Sequence, residues 1–269
     1  MLPPPSRQGV RERGGRGAVV ALLALAGCSS VTPPGPARAA AAPPSATASA
    51  ALVAEVPVRT VFGRSVRHRD LVALRLGPAD ARRRVLVVGV VHGDEAAGLP
   101  IVQALLRTPP PAGTELVVVP DLNPDGVAAH TRQNADGVDL NRSFPYRWER
   151  IGRRGDQQYS GTRALAEPES RAMVALVRQV RPTATVWFHQ PVGVVDDSGG
   201  APAVERRFAA AIGLPLRRLE RYPGSATGWQ DATMPGTSAF VVELPRSVTS
   251  QLLARALTAL RGLEVDPTA

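Results

Sequence analysis

The stretch VVGVVHGDEAAG, residues 87–98, decides how the rest of the chain is read. It continues an almost unbroken apolar run from Arg84 to Val91, the pattern of a strand covered on both faces. Where the run stops, His92 and Glu95 follow three residues apart. A neutral imidazole and a carboxylate are both good zinc ligands, and at a strand-to-helix turn this spacing lets them curve back onto one point. Alone, the pair reads equally well as a hydrogen-bonded histidine beside an exposed acid.

The flanking segments supply context. A helix is expected from Gly98 to Leu106, ending before Pro109. Leu71 to Leu76 alternates as a strand and is stopped by Gly77-Pro78; ELVVVP, residues 115–120, is a second short buried strand. Glu169 to Val180 is an amphipathic helix, and TATVWF, residues 183–188, is a strand that ends at His189. Val204 to Ile212 is helical, TSAFVVEL (residues 237–244) is a strand carrying Glu243 near its end, and Ser250 to Leu260 is a closing helix. Strands alternating with helices predict one α/β domain with a largely parallel or mixed sheet, starting near Val56 and running over residues 56–269. Ligands in such sheets bind beyond the carboxyl ends of the strands, and His92, Glu95, His189 and Glu243 all fall there. Catalytic zinc takes three protein ligands and keeps one position for water, which makes His189 the natural third ligand. The other two histidines have blander readings: His68, between Arg67 and Arg69, as an exposed residue and His130 as part of a turn-rich loop.

The N-terminus reads differently. Arg7, Arg11, Arg13 and Arg16 precede GAVVALLALA, residues 17–26, then Gly27 and Cys28. A basic segment, a short apolar core and a small-residue processing region form an export signal over residues 1–27; the apolar run is short for a membrane span. LAGC, residues 25–28, resembles a bacterial lipoprotein signal, so Cys28 is expected to be lipidated and to hold the protein on the extracytoplasmic side of the membrane, with ordinary secretion as the alternative. One acyl chain anchors weakly, so stable attachment needs more than one. Cys28 is the single cysteine, which excludes an internal disulfide. Residues 28–55 are small, proline-rich and poor in aromatics; they are expected to form a disordered tether.

All 32 basic residues are arginine, and the formal net charge is +9. Removing residues 1–27 takes away four arginines and Glu12, lowering it to +6. The arginines are scattered and do not interleave with the three tyrosines and three tryptophans, so the charge reads as a solvated face and no nucleic-acid partner is expected. No phosphate loop, dinucleotide fingerprint or GxSxG elbow is present.

Two further segments change the weight of the histidine–glutamate pair: PDLNPDG at 120–126 and TRQNADGVDLNRSFP at 131–145. Together with HGDE, FHQP and FVVELP they resemble the zinc carboxypeptidase family, in particular the bacterial branch that includes murein peptide amidases, over residues 58–260. The resemblance implies a central mixed, mostly parallel eight-stranded sheet flanked by helices, and one Zn2+ per chain held by His92, Glu95 and His189. It implies Glu243 as the catalytic glutamate, Arg132 as the arginine that steadies the scissile carbonyl, and Asn141 with Arg142 as the pair that grips a terminal carboxylate. Tyr222 matches a mobile tyrosine that caps the substrate, although its context, YPGSATGW, fits loosely. Without the resemblance, Arg132 reads as a surface arginine, Arg142 as a salt-bridge partner of Asp139, Asn141 as a turn former and Glu243 as the partner of a core arginine. Any of Asp94, Asp121, Asp125, Asp136 and Asp139 would serve to orient a ligating histidine. One departure is Asn-Arg-Ser-Phe at 141–144 where the family shows Asn-Arg-Asn-Phe; Ser143 is expected to reshape the carboxylate pocket.

The implied reaction is zinc-dependent hydrolysis of an amide next to a free carboxylate, in a monomer. A peptide or murein peptide substrate fits an envelope protein, and the branch cuts between γ-D-glutamate and diaminopimelate. A pocket acid for diaminopimelate is expected at Asp196 or Asp197, both of which also read as turn acids. The alternatives are a general metallocarboxypeptidase, an N-acyl amino acid deacylase-like amidohydrolase, and a noncatalytic binding lipoprotein. The retained ligands and Glu243 argue against the last.

Overall fold

The computed structural model describes residues 56–197 and 199–263; the segments expected to form an export signal and a tether, with Cys28, lie outside them. Eight strands, β1 (Val58–Arg64), β2 (Asp70–Leu76), β3 (Arg83–Val88), β4 (Thr114–Val119), β5 (Ala184–His189), β6 (Val192–Asp196), β7 (Leu216–Arg217) and β8 (Ser238–Pro245), form one sheet in the order β1-β2-β4-β3-β5-β8-β6-β7. The central pairs β4–β3, β3–β5 and β5–β8 are parallel, while β1–β2, β2–β4 and β6–β8 are antiparallel. Six helices accompany it: α1 (Leu99–Leu105), α2 (Pro124–Ala129), α3 (Pro168–Val180), α4 (Pro202–Ile212), α5 (Ala226–Thr233) and α6 (Ser250–Arg261).

Both faces of the central strands are covered, which is why β4 and β5 are buried at every position. Alternate residues serve opposite layers. Val85, Val87, Val186, Phe188, Phe240 and Val242 pack under α1, α4 and α6. Leu86, Val88, Val117, Trp187 and Val241 pack under α3 and α5. Among the described residues, no helix is long and apolar enough to cross a membrane.

The elements absent from the sequence reading have weak signals. β1 is an edge strand with Val58 65% exposed and Val61 41% exposed, so it lacks a buried stripe. β6 contains Gly193 at φ 74°, and β7 has two residues. α2 and α5 are short and start on local caps: the Asn123 side chain accepts from the Gly126 N–H, and Ser225 accepts from the Gly228 N–H.

Glycine is required twice in the opening stretch. A Cβ on Gly93 would fall 1.9 Å from the Gly126 carbonyl carbon, and one on Gly98 would fall 2.1 Å from the Gly89 oxygen. The turn after β3 therefore lies against the backbone of α2 and of its own strand, and PDLNPDG supplies the surface it rests on.

Candidate active site

β3 ends at Val88, and the chain turns through His92 and Glu95 into α1. β5 delivers His189 at its last residue, opposite Glu243 of β8 in parallel register. The three expected ligands meet. His92 Nδ1 lies 2.9 Å from Glu95 Oε2, His189 Nδ1 lies 2.9 Å from the same oxygen, and the two ring nitrogens are 3.1 Å apart. His92 and His189 are buried. His68 and His130 are exposed and take no part.

This donor set fits zinc. Ligands at about 2.0–2.1 Å in a tetrahedron stand roughly 3.3 Å from one another, close to the observed separations. The tautomer agrees: His92 Nε2 meets Asp139 Oδ1 at 3.0 Å, which assigns the ring proton to Nε2 and leaves Nδ1 as a lone-pair donor. Asp139 is thus the orienting acid among the five candidates. It is fully buried, caps the short 3-10 turn Leu140–Arg142 through the Asn141 N–H, and binds Arg132 Nη2 at 2.8 Å.

Arg132 is consequently not a surface arginine. Its Nη1 reaches Glu95 Oε1 at 2.9 Å and His92 Nδ1 at 3.1 Å. Asn141 is more than a turn former: its Nδ2 stands 3.5 Å from His189 Nε2 and its Oδ1 accepts from the Ala226 N–H. Arg142 is buried, its guanidinium 4.0 Å from the Tyr222 ring centroid, while the ion pair of Asp139 is with Arg132. The stacked tyrosine is the loosely matched Tyr222. Among the described residues no arginine pairs with Glu243; the Val192 N–H reaches its carboxylate, and its Oε2 is buried and unpaired. All nine of these side chains except Asp139 line one cleft of about 320 Å3.

One expectation needs correction. Ser143 does not face the cleft: its hydroxyl donates to the Leu140 carbonyl and shares a hydrogen bond with the Ser170 hydroxyl, in the interior behind the Asn-Arg turn. A side chain longer than serine would meet Ser170, so the departure from Asn-Arg-Asn-Phe is a packing change beneath the pocket. Of the two candidate pocket acids, Asp196 lines the cleft and Asp197 is not among its lining residues. Gln190 was not anticipated. Its N–H donates to Glu95 Oε2 and its Oε1 accepts from the Ala97 N–H, so it fastens the Glu95 turn to β5. Its position directly after His189 in FHQP was the available signal.

Burial opposes charge on Asp139, Glu95, His92 and Glu243, and the neighbours overcome it on the first three. Against burial, His92 and Arg132 hold Asp139 below the usual carboxylate range, and His189 with His92 does the same for Glu95. Burial also disfavours a charged His92, but Asp139 and Glu95 outweigh it and hold its pKa above the ordinary value. Glu243 goes the other way: burial raises its carboxyl, and His189 only partly opposes this. A carboxyl poised above its ordinary value in a cleft is suited to passing a proton.

An α/β sheet with a two-histidine, one-carboxylate centre at its strand ends and, beside it, a glutamate with one unpaired oxygen defines a metal-dependent hydrolase. Residues 50–194 match the family model described as zinc carboxypeptidase. Murein peptide amidase A of Escherichia coli K12 is 33% identical over 181 residues, covering 62% of this chain and 74% of that one. Murein peptide amidase A of Vibrio campbellii is 30% identical over 200 residues, covering 69% and 79%. Among solved structures, murein-tripeptide amidase MpaA from Escherichia coli O157 aligns with a TM-score of 0.67 at 27% identity, covering 78% of this chain and 94% of that one. Carboxypeptidase A from Helicoverpa armigera shares the fold, with a TM-score of 0.66 at 20% identity, covering 78% and 68%. The chain belongs to the zinc carboxypeptidase family, and its cofactor is zinc.

Proposed function

We propose that this protein is an envelope amidase that cuts murein-derived peptides at the bond between γ-D-glutamate and diaminopimelate, an amide next to a free carboxylate. The observation that carries this reading is that the cleft joins the His92, Glu95 and His189 centre, the Glu243 carboxylate and the Arg142 guanidinium in one space. The names of the Escherichia and Vibrio relatives support the choice of substrate.

Zinc at this centre supplies Lewis acidity and lowers the pKa of water. The chain does the rest. Glu243, with Oε2 unpaired, takes the proton from water and passes it to the leaving amine, so the products are a carboxylate and an amine. Arg142 grips the free carboxylate through two parallel hydrogen bonds, with the Asn141 carboxamide beside it. Tyr222 closes over that clamp from its stacked position. Arg132 presents fixed positive charge where negative charge develops on the carbonyl oxygen. Asp139 holds both His92 and Arg132 in place.

Mass spectrometry of products formed from L-Ala-γ-D-Glu-diaminopimelate and from a panel of blocked dipeptides tests the reading. Release of diaminopimelate, with the dipeptides intact, is the expected result. Release of C-terminal residues from the dipeptides alone would instead make this a general carboxypeptidase.

We propose further that Cys28 carries the lipid that anchors the protein, a monomer, outside the cytoplasm. The support is the LAGC sequence after a short apolar run. Radiolabelled palmitate should enter the wild-type chain and not Cys28→Ser; equal labelling of both would contradict it.

A further inference from the structure

The end of β5 puts one more side chain into the cleft than the hydrolysis above uses. Gln190, directly after His189, lines the cleft and is half-buried. Its carboxamide is held in one orientation. The Ala97 N–H stands 2.6 Å from it and is a donor, so the atom it meets is the oxygen, Oε1. The NH2 group is the other end. Among the described residues nothing accepts from Nε2, and Nε2 is not among the buried unpaired atoms, so it opens on the cleft. The backbone N–H of the same residue is fixed as well, donating to Glu95 Oε2 at 3.3 Å. Two N–H donors are thus presented beside the metal centre by a side chain fastened at its own oxygen.

His189 shows which part of a substrate these donors face. Its Nε2 stands 3.5 Å from Asn141 Nδ2, on the side of the Asn141 and Arg142 clamp. Its Nδ1 stands 2.9 Å from Glu95 Oε2, the oxygen that also accepts from the Gln190 N–H. Gln190 and the clamp therefore lie on opposite edges of this imidazole. A substrate whose leaving part is gripped by the clamp carries its acyl part across the metal centre towards Gln190. In a γ-D-glutamyl amide that acyl part bears a free α-carboxylate, a short methylene chain from the scissile carbonyl. The arginines that line the cleft are committed elsewhere. Arg132 gives Nε and Nη2 to Asp139 and Nη1 to Glu95. Arg142 belongs to the clamp under Tyr222, and Arg221 is tied to Asp231.

We propose that Gln190 determines specificity on the acyl side of the scissile bond, its NH2 group donating to an oxygen of the γ-D-glutamyl α-carboxylate. This rests on the amidase reading above and names a part of the substrate that the reading leaves without a partner. A neutral NH2 donates to a carboxamide oxygen as well as to a carboxylate, so an α-amidated glutamyl residue is accepted too. A guanidinium in its place would select the anion.

The test measures kcat/KM of the zinc-loaded protein on three peptides that end in diaminopimelate. Their middle residue is γ-D-glutamyl (α-carboxylate), D-isoglutaminyl (α-carboxamide) or γ-aminobutyryl (neither), each after L-Ala. Relative to the γ-aminobutyryl peptide, the wild-type protein should be faster by about 10- to 100-fold on the carboxylate and about 2- to 10-fold on the carboxamide. These are the values of a hydrogen bond to a charged and to a neutral group. Gln190→Glu keeps an oxygen for the Ala97 N–H, repels a carboxylate and accepts from a carboxamide. It should reverse the order, favouring the carboxamide peptide over the carboxylate peptide by about tenfold or more, while chelator competition still shows one zinc per chain. Equal wild-type turnover of all three, or a carboxamide peptide no better than the γ-aminobutyryl one, would overturn the inference and leave the amidase reading intact; neither comparison needs a variant to fold. An unchanged order in zinc-loaded Gln190→Glu would also overturn it. No wild-type turnover of any of the three would overturn both readings.

Discussion

At the scale of single residues, Asp139 is the centre of the arrangement. Its two oxygens serve His92, Arg132 and the Asn141 N–H, so one buried carboxylate orients a zinc ligand, the arginine beside the metal and the turn that presents Arg142. Asp139→Ala should weaken zinc binding about 10- to 100-fold, read by competition with a chromophoric chelator. Glu243→Gln should keep zinc and lose roughly 100- to 10,000-fold in kcat, the usual contribution of a positioned proton carrier; retained turnover would remove Glu243 from its role. Arg142→Lys should lose about tenfold more on peptides with a free terminal carboxylate than on their amides, because an ammonium cannot form the paired bonds of a guanidinium. The ligands were legible in the sequence because each ends or follows a strongly apolar strand. Asp139 was not singled out, since five acids share the same turn-rich loops and only the tertiary path brings one of them to His92 Nε2.

At the scale of elements, the site depends on the Asn-Arg turn being pressed onto the sheet. Phe144, fully buried, stacks on Trp229 of α5 at 5.7 Å and meets Trp187 of β5 edge-on at 6.0 Å. These rings join the turn to a helix and a central strand. Phe144→Ala should cost about 3–5 kcal/mol in urea unfolding and should raise KM through a displaced Arg142. The buried strands β3, β4, β5 and β8 and the helices α3, α4 and α6 were readable from apolar runs and helical periodicity. β1, β6, β7, α2 and α5 were not: their residues alternate poorly, include a left-handed glycine, or are held by caps and neighbours rather than by a stripe of their own. Ser143 shows the same limit, since only packing reveals that it turns from the cleft towards Ser170.

At the scale of the whole molecule, the buried charges set how stability responds to pH. Glu205 is pushed up to about 8 by burial and by Asp231, Asp196 and Asp197. In the unfolded chain it ionises near 4.5, so the unfolded state binds fewer protons between these values. This group therefore lowers stability progressively as pH rises from about 4.5 to about 8, and adds no further change above that. Glu205→Gln should flatten that part of the profile, read as the denaturation midpoint at pH 5, 6.5 and 8. The same molecule ties the fold to one metal centre through three ligands from two parts of the chain 94 residues apart at Glu95 and His189. The most direct measurement is a titration of metal-free protein with zinc while diaminopimelate release from L-Ala-γ-D-Glu-diaminopimelate is followed. Release should be absent at the start, rise linearly, and break at one zinc per chain. Full activity in the metal-free protein, or no release with His92, Glu95 and His189 saturated, would contradict it.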